Sequence, residues 1–257
     1  PNHVTNDTLI LNKTGEELKK LGCGFKVYEE SYIEENGVDE DYIFSMARSR
    51  KAVENLSRMF KNGKFVLNSP EAVLNCYRTN LASLLPAKEI NFPKSKIVNT
   101  GNNNNYQINE FTSKKKLWIK RGDIHAEHKE DVSLVYYDEE LNHILKEYNM
   151  RGIEEAIVQE HLEGDVVKFY GVKDSPFFHW YYLNGNDKFS FDTGELKQTA
   201  YKAAEVLNVS VYGGDAVISG KGEITIIDFN DWPSFAPVRD KASKYIAETI
   251  LENTLAY

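Results

Sequence analysis

The chain has 257 residues, 41 % of them hydrophobic and 27 % charged, and a formal net charge of −8. That balance argues against a general nucleic-acid-binding surface, which needs an excess of cations. A chain this long buries a full core without disulfide or metal staples, and two packed subdomains are expected. Cys23 and Cys76 are its two cysteines. They cannot build a disulfide framework, so a reducing compartment, the cytoplasm, is expected. No apolar run approaches the roughly 20 residues of a membrane helix.

Leu9, Ile10, Leu11, Leu18 and Leu21 fit a helix over 7–21, with Gly22 as its stop. Phe25, Val27 and Tyr28 read as a strand, and 42–46 is a second short apolar run. Residues 49–61 look helical, with Val53, Leu56, Met59 and Phe60 on one side. Phe65, Val66 and Leu67 form another short strand. Ser69 and Pro70 then open a helix that runs to about Leu85. Such alternation is the pattern of an open α/β layer. A layer of this kind normally begins with a strand, yet this one begins with a helix at Pro1, so a first strand ahead of Pro1 is expected.

Gly101 and the run Asn102 to Asn105 break the pattern and mark a boundary. The expected division is 1–98 as an N-terminal α/β domain with a linking helix, then 99–257. Strands follow at 117–119, 156–158, 166–172 and 177–183. A helix over 195–207 carries Leu196, Ala200, Ala203, Ala204 and Leu207 as its buried stripe. Strands at 214–218 and 223–229 flank the turn Gly220-Lys221-Gly222, and a last helix spans about 240–255.

The most specific chemical signal is the run from Ile226 to Phe235, where an apolar strand ends in Asp228 and Asn230. Two residues apart on a strand, both side chains share one face. A carboxylate and an amide oxygen are hard ligands that suit Mg²⁺, which takes few protein ligands and fills the rest with phosphate and water. Asp215 lies on the partner strand of the hairpin and can approach Asp228. A plain hairpin with polar ends is the competing reading. Lys120 ends the apolar run Leu117-Trp118-Ile119, where burial without an anion is costly. Lys168 alternates with apolar neighbours and faces a cleft if they face the core. Gln159, Glu160, His161 and Leu162 form a polar linker after a strand, a pattern that a solvated acidic loop explains equally well.

The segment from Gly214 to Phe235 resembles the closing hairpin of ATP-grasp enzymes, and the resemblance covers roughly residues 65–255. It is similar to the metal triad of ribosomal-protein glutamate ligases and glutathione synthetases. The Asp-x-Asn form is also similar to inositol trisphosphate 5/6-kinases. The resemblance implies an ATP-grasp fold in the α/β (α+β) class, with a small lobe over about 106–160 and a large lobe over about 161–257. It implies that Asp215, Asp228 and Asn230 bind two Mg²⁺ ions, or Mn²⁺ in their place, with Asp228 bridging both. It makes 159–162 the hinge whose backbone reads adenine, with Glu160 and Leu162 nearest the base and Glu163 or Asp165 near the ribose. Lys120, Lys168 and Arg78 become phosphate or acceptor contacts. Where the family has a Gly- and Ser-rich phosphate loop, this chain reads Arg121 to His128 with one glycine, and His125 and His128 are candidate phosphate contacts.

The resulting expectation is a carboxylate–amine ligase acting through an acyl phosphate on a small-molecule or peptide acceptor, with Lys168 and Asp228 as its catalytic residues. The alternative is a small-molecule kinase. Ligase relatives often carry an arginine near Phe177 to Tyr182, and this chain has none between Arg151 and Arg239. His179 and Tyr181 share a face and are candidates for the acceptor pocket, whereas Phe177 and Phe178 read as core.

Overall fold

A computed structural model of the chain describes residues 2–101, 105–113, 116–123, 128–184 and 188–256. The N-terminal part runs α1 (Asn2–Lys20), α2 (Glu30–Glu35), β1 (Tyr42–Phe44), α3 (Arg50–Lys61) and β2 (Phe65–Leu67). α3 starts where the Ser49 hydroxyl accepts the Ala52 N–H, and it buries Ala52, Val53, Leu56 and Met59 as one stripe. Ser69 caps α4 (Pro70–Asn75) in the same way, with Pro70 in the first turn.

Three N-terminal expectations change. No strand forms at Phe25, Val27 and Tyr28. The rings of Phe25 and Tyr28 pack on helices instead: Phe25 lies under Lys19 of α1, and Tyr28 stacks on Tyr32 of α2. The expected α/β layer is reduced to the parallel pair β1–β2. The single helix from Pro70 is also two helices, because the chain is extended at Tyr77 before α5 (Arg78–Ala87). Tyr77 is buried with Val53 and Val73, and this tertiary anchor overrides the local helical preference.

Beyond α5 come β3 (Ser95–Asn99), β4 (Leu117–Arg121), β5 (Val132–Val135), α6 (Asp138–Met150) and β6 (Glu155–Glu160). The remainder is β7 (Asp165–Val172), β8 (Phe178–Asn184), α7 (Thr193–Leu207), β9 (Val211–Ile218), β10 (Ile224–Asp231) and α8 (Arg239–Ala256). Four of all these elements, α2, β3, β5 and α6, were not among the expectations. β3 matters most, because it pairs with β6 and starts the smaller sheet before residue 99 rather than near 106. That sheet has the order β3-β6-β4-β5. One face packs on α6, whose Leu141, Leu145 and Tyr148 meet Val98, Leu117, Ile119, Ala156 and Val158.

The larger sheet is antiparallel, in the order β10-β9-β7-β8. Val167, Phe169, Ala216, Ile226 and Phe229 bury one face against α7 and α5. On the other face Tyr170, Val172 and Val211 pack with Ile10 and Leu18 of α1 and with Ala242, Ile246 and Ile250 of α8. Among the described residues no helix is long and apolar enough to cross a membrane.

Buried Asn68 ties the N-terminal part to the larger sheet. Its amide nitrogen donates to the Val211 carbonyl at 2.8 Å, and its oxygen accepts the N–H groups of Ser210 and Val211 at 2.8 and 3.0 Å. Asn68→Ala strands those two donors. It is expected to lower unfolding free energy by about 3 kcal/mol, read as a lower urea midpoint at unchanged m-value.

Candidate functional site

The registers of the larger sheet line up one row of side chains across four strands. Asp228 of β10 lies opposite Asp215 of β9, Asp215 opposite Lys168 of β7, and Lys168 opposite Tyr181 of β8. A second row runs Asn230, Gly213, Tyr170 and His179. The β10 register shifts by one residue between Ile226 and Asp228. In an unbroken strand these two would share a face. The bulge keeps Ile226 and Phe229 in the α7 core and turns Asp228 and Asn230 to the opposite face. The bulge also brings the Asp228 carbonyl close to Gly214: a Cβ there would sit 2.5 Å from that oxygen and 2.5 Å from Phe169 Cζ. Only glycine fits.

The charges are partly paired and lie at least half-buried. Lys168 Nζ lies 2.7 Å from Asp215 Oδ1, and Arg78 Nη2 lies 3.1 Å from Asp228 Oδ2. Arg78, first in α5, also donates to the Arg121 carbonyl at 3.4 Å. Lys120 reaches across from the smaller sheet and donates to the Ile227 carbonyl at 3.1 Å. Arg78 is 8 % exposed and Lys120 6 %, so both cations lie in the cleft between the sheets. Burial, reinforced by Arg78, pulls Lys120 down to about 8 against the opposing pull of Asp228 and Asp215. Burial raises the Asp215 carboxyl, with Lys168 opposing and Asp228 adding to the rise. Burial would lower Lys168, but the facing Asp215 outweighs it and the ammonium ends up raised.

This donor set fits a hard divalent cation. Asp215 and Asp228 stand directly opposite each other, roughly 5 Å apart at Cβ for such a pair. Apart from its ion pair with Lys168, Asp215 Oδ1 is buried with no hydrogen-bond partner. Among the described residues no three His, Cys, Asp or Glu side chains converge on one point. The set is two carboxylates with the Asn230 amide one pair along, the sparse oxygen ligation that Mg²⁺ accepts.

On the smaller sheet Leu117 and Ile119 face α6, so Trp118 and Lys120 face the cleft. Gln159 shares that face, and its amide donates to Ser95 Oγ at 3.1 Å. Glu160 is stitched to Lys94: its N–H donates to the Lys94 carbonyl at 2.9 Å, and its carboxylate accepts the Lys94 N–H at 3.1 Å. His161 Nδ1 accepts the Trp118 indole N–H at 3.2 Å. Leu162 is half-buried beside it.

The ribose expectation for Asp165 is corrected. Its side chain is buried and accepts the Phe189 N–H at 2.7 Å, and by alternation with Lys168 it lies on the face away from the cleft. Glu163 instead extends into solvent, paired with Lys116 at 2.8 Å. Phe177 is core, against Phe235 and Tyr245, and Phe178 packs on Phe169. His128 is exposed, and its backbone N–H donates to Asp131; His125 lies outside the described residues. Trp118 was missed by the sequence reading, although its position two before Lys120 puts both on one face.

No protein-family model matches the chain, and no curated protein matches it in sequence. Solved structures do. The chain is similar to a D-alanine–D-alanine ligase from Bacillus anthracis, at 11 % identity and TM-score 0.72 over 98 % of this chain and 94 % of that one. It is similar to a RimK domain ATP-grasp protein from Sphaerobacter thermophilus, at 15 % identity and TM-score 0.70 over 93 % and 94 %. It is also similar to the ATP-grasp ligase PsnB complexed with precursor peptide PsnA2 and AMPPNP, at 14 % identity and TM-score 0.65 over 96 % and 94 %. The chain has the ATP-grasp fold.

Lys120 carries a stability cost with a definite pH signature. Its folded pKa of about 8 lies below the ordinary 10.5. The unfolded chain therefore binds the extra proton between these values, and stability rises with pH through that window. Below pH 8 the full cost is present. Lys120→Met is expected to raise unfolding free energy at pH 7 by about 3 kcal/mol, and to flatten the rise in stability above pH 8 expected in urea titrations of the parent chain.

Proposed function

We propose that the chain is an Mg-ATP-dependent ligase that joins a carboxylate to an amine through an acyl phosphate. The observation that carries this reading is the row Asp228, Asp215 and Lys168 on one sheet, facing Lys120 from the other across a shared cleft. Three cations and two carboxylates gathered in one cleft, Arg78 and Lys120 buried and the others half-buried, are costly without a ligand of matching charge, and a nucleoside triphosphate with a divalent cation supplies it. The comparisons add support: the Bacillus anthracis ligase is also known complexed with ATP, and PsnB with a minimal precursor variant, Mg and ADP.

On this reading Asp215, Asp228 and Asn230 hold the metal. Mg²⁺ held there would supply positive charge to the phosphate oxygens. Lys120 and Lys168 neutralise phosphate, and Arg78 exchanges its Asp228 partner for it. The linker 159–162 takes the base. An acceptor carboxylate attacks the γ-phosphorus, the bond to the β-bridging oxygen breaks, and ADP leaves. An amine then attacks the acyl carbon and expels phosphate. The protein positions the reactants and neutralises their charge. Tyr181 and His179 adjoin Lys168 on the same face and suit the acceptor, a small molecule or a peptide. In this reading the N-terminal unit ends just ahead of β3 rather than at residue 98, and the chain from β3 to residue 257 forms the two lobes, with β3 as the edge strand of the small one.

The alternative is a kinase that transfers the same phosphoryl group to a hydroxyl. It is favoured by the absence of arginine between Arg151 and Arg239, where a ligase would use one to steady an acyl phosphate. A panel of amino acids, peptides and polyols scored for ADP release separates the two. Saturating Mg-ATP, at about 100 times Kd, is expected to stabilise the protein by roughly 2.7 kcal/mol; no thermal shift at millimolar Mg-ATP would defeat both readings.

Asp228→Asn tests the metal assignment. Contacts to the base lie at the linker and survive, whereas the charge that answers the transferring phosphoryl is lost. The expected outcome is a kcat reduced on the order of 10²-fold with ADP affinity little changed. Near-normal turnover would remove Asp228 from the reaction.

A further inference from the structure

We infer that the open edge of β8 takes the acceptor as an added strand: an extended peptide segment whose acidic side chain, opposite Tyr181, enters the row that leads to Lys168. The inference deepens the ligase reading above and rests on it for the chemistry, though not for the docking.

The larger sheet treats its two edges differently. Along β10 the segment after α5 closes the edge: the Ile226 N–H donates to the Asn91 carbonyl at 3.1 Å, and the Asn91 amide donates to the Ile224 carbonyl at 3.3 Å. At the other edge β8 pairs with β7 alone. Bonded and non-bonded pairs alternate along an antiparallel ladder. The Val172 N–H donates to the Phe177 carbonyl at 3.4 Å, so the bonded pairs that follow are Tyr170 with His179 and Lys168 with Tyr181. The N–H and C=O groups of Phe178, Trp180 and Tyr182 therefore point outward, and among the described residues nothing bonds to them.

Proteins guard an exposed edge with charge, proline or a bulge. The stretch from Phe178 to Tyr182 has no Asp, Glu, Lys, Arg or Pro. The bulge comes only after it: Val167 faces Tyr182 and Val166 faces Asn184, which leaves Leu183 as the extra residue. A regular edge with its donors and acceptors exposed is a template for an extended chain.

The same alternation fixes what an added strand presents. Phe178, Trp180 and Tyr182 send their side chains into the α7 core, whereas His179 and Tyr181 keep theirs on the cleft face. Peptide residues opposite His179 and Tyr181 put their own side chains on that face, in close non-bonded pairs. The residue opposite Tyr181 extends the row Asp228, Asp215, Lys168 and Tyr181 by one. It stands two strand spacings of about 4.8 Å from Lys168. The charges there suit an acid. Asp215 serves the metal on the ligase reading, which leaves the Lys168 ammonium to meet an incoming carboxylate. Burial, and then the charge of Lys241, hold the His179 imidazole below its ordinary pKa, so a second ammonium borders the same end of the face. The occupant is an extended peptide carrying aspartate or glutamate.

Backbone hydrogen exchange, followed by residue with NMR, tests the docking on the parent chain. The probe is a capped peptide of alternating threonine and valine around one central glutamate. Two counterparts carry glutamine in place of the glutamate, or N-methyl groups on the amides that would face β8. In the free chain the amides of Phe178, Trp180 and Tyr182 are expected to exchange fast, and those of His179 and Tyr181 slowly. The glutamate peptide is expected to slow the first three on the order of 10-fold or more. N-methylation is expected to weaken binding on the order of 10-fold, as loss of two or more ladder bonds does. The glutamine peptide is expected to bind the same edge several-fold more weakly. With Mg-ATP and hydroxylamine as the amine, the glutamate peptide is expected to yield ADP, phosphate and its hydroxamate, and the glutamine peptide none. Protection that spares Phe178, Trp180 and Tyr182 overturns the inference alone, as does an N-methylated peptide that binds as tightly as the unmodified one. Equal affinity for the glutamate and glutamine peptides overturns the acidic occupant. Slow exchange of the three amides in the free chain, deepening with protein concentration, assigns the edge to a second copy and also overturns it. A chain with no thermal shift in Mg-ATP defeats the ligase reading, and edge protection by the peptide is then scored without it.

Discussion

The candidate site depends on one extra residue in β10. Between Ile226 and Asp228 the ladder with β9 slips by one, and everything after the slip changes face. Without it Asp228 would follow Ile226 into the α7 core, where an unpaired carboxylate costs several kcal/mol, and Phe229 would enter the cleft. With it, the apolar strand continues to bury Phe229 while two hard oxygen ligands emerge beside Asp215. Gly214 is the matching concession in β9, because any side chain there would strike the Asp228 carbonyl.

The charges that gather at this point come from different parts of the chain and compensate one another. Arg78 arrives from α5, Lys120 from the smaller sheet and Lys168 from β7, and between them they answer Asp215 and Asp228. The contacts of Arg78 to Asp228 and to the Arg121 carbonyl, and of Lys120 to the Ile227 carbonyl, cross the cleft and hold the two sheets in register with each other. Such an arrangement is preorganised for a polyanion at a cost to the folded state. The depressed Lys120 is the direct sign of that cost, since a lysine that served stability would sit at or above its ordinary value.

The break between α4 and α5 shows how distant packing serves the same point. A continuous helix from Pro70 satisfies local propensity better. The buried Tyr77 instead holds the chain extended for one residue, and α5 restarts with Arg78 at its first position. The break is also what separates a helix reading of this segment, which was right in type, from its function, which depends on where the second helix begins.

The sequence by itself determined the features that are local and periodic. Lys120 at the end of an apolar run, the Asp-x-Asn pair on one strand face, the Asp215 hairpin partner and the alanine-rich stripe of α7 all follow from spacings of two or of three and four residues. The ATP-grasp resemblance attached to those motifs, and the fold agrees with it. Tertiary structure alone decided which face each strand presents and which distant groups meet. Asp165 reads as a linker carboxylate but turns into the α7 side to cap Phe189. Phe25 and Tyr28 read as strand and pack on helices. Arg78 finds Asp228 across 150 positions, and Trp118 finds His161 across 43. For Asp165, Arg78 and Trp118 the partner lies well beyond a dozen residues. A side chain's face depends on register slips and on what covers the sheet, and both are settled only when the whole chain has packed.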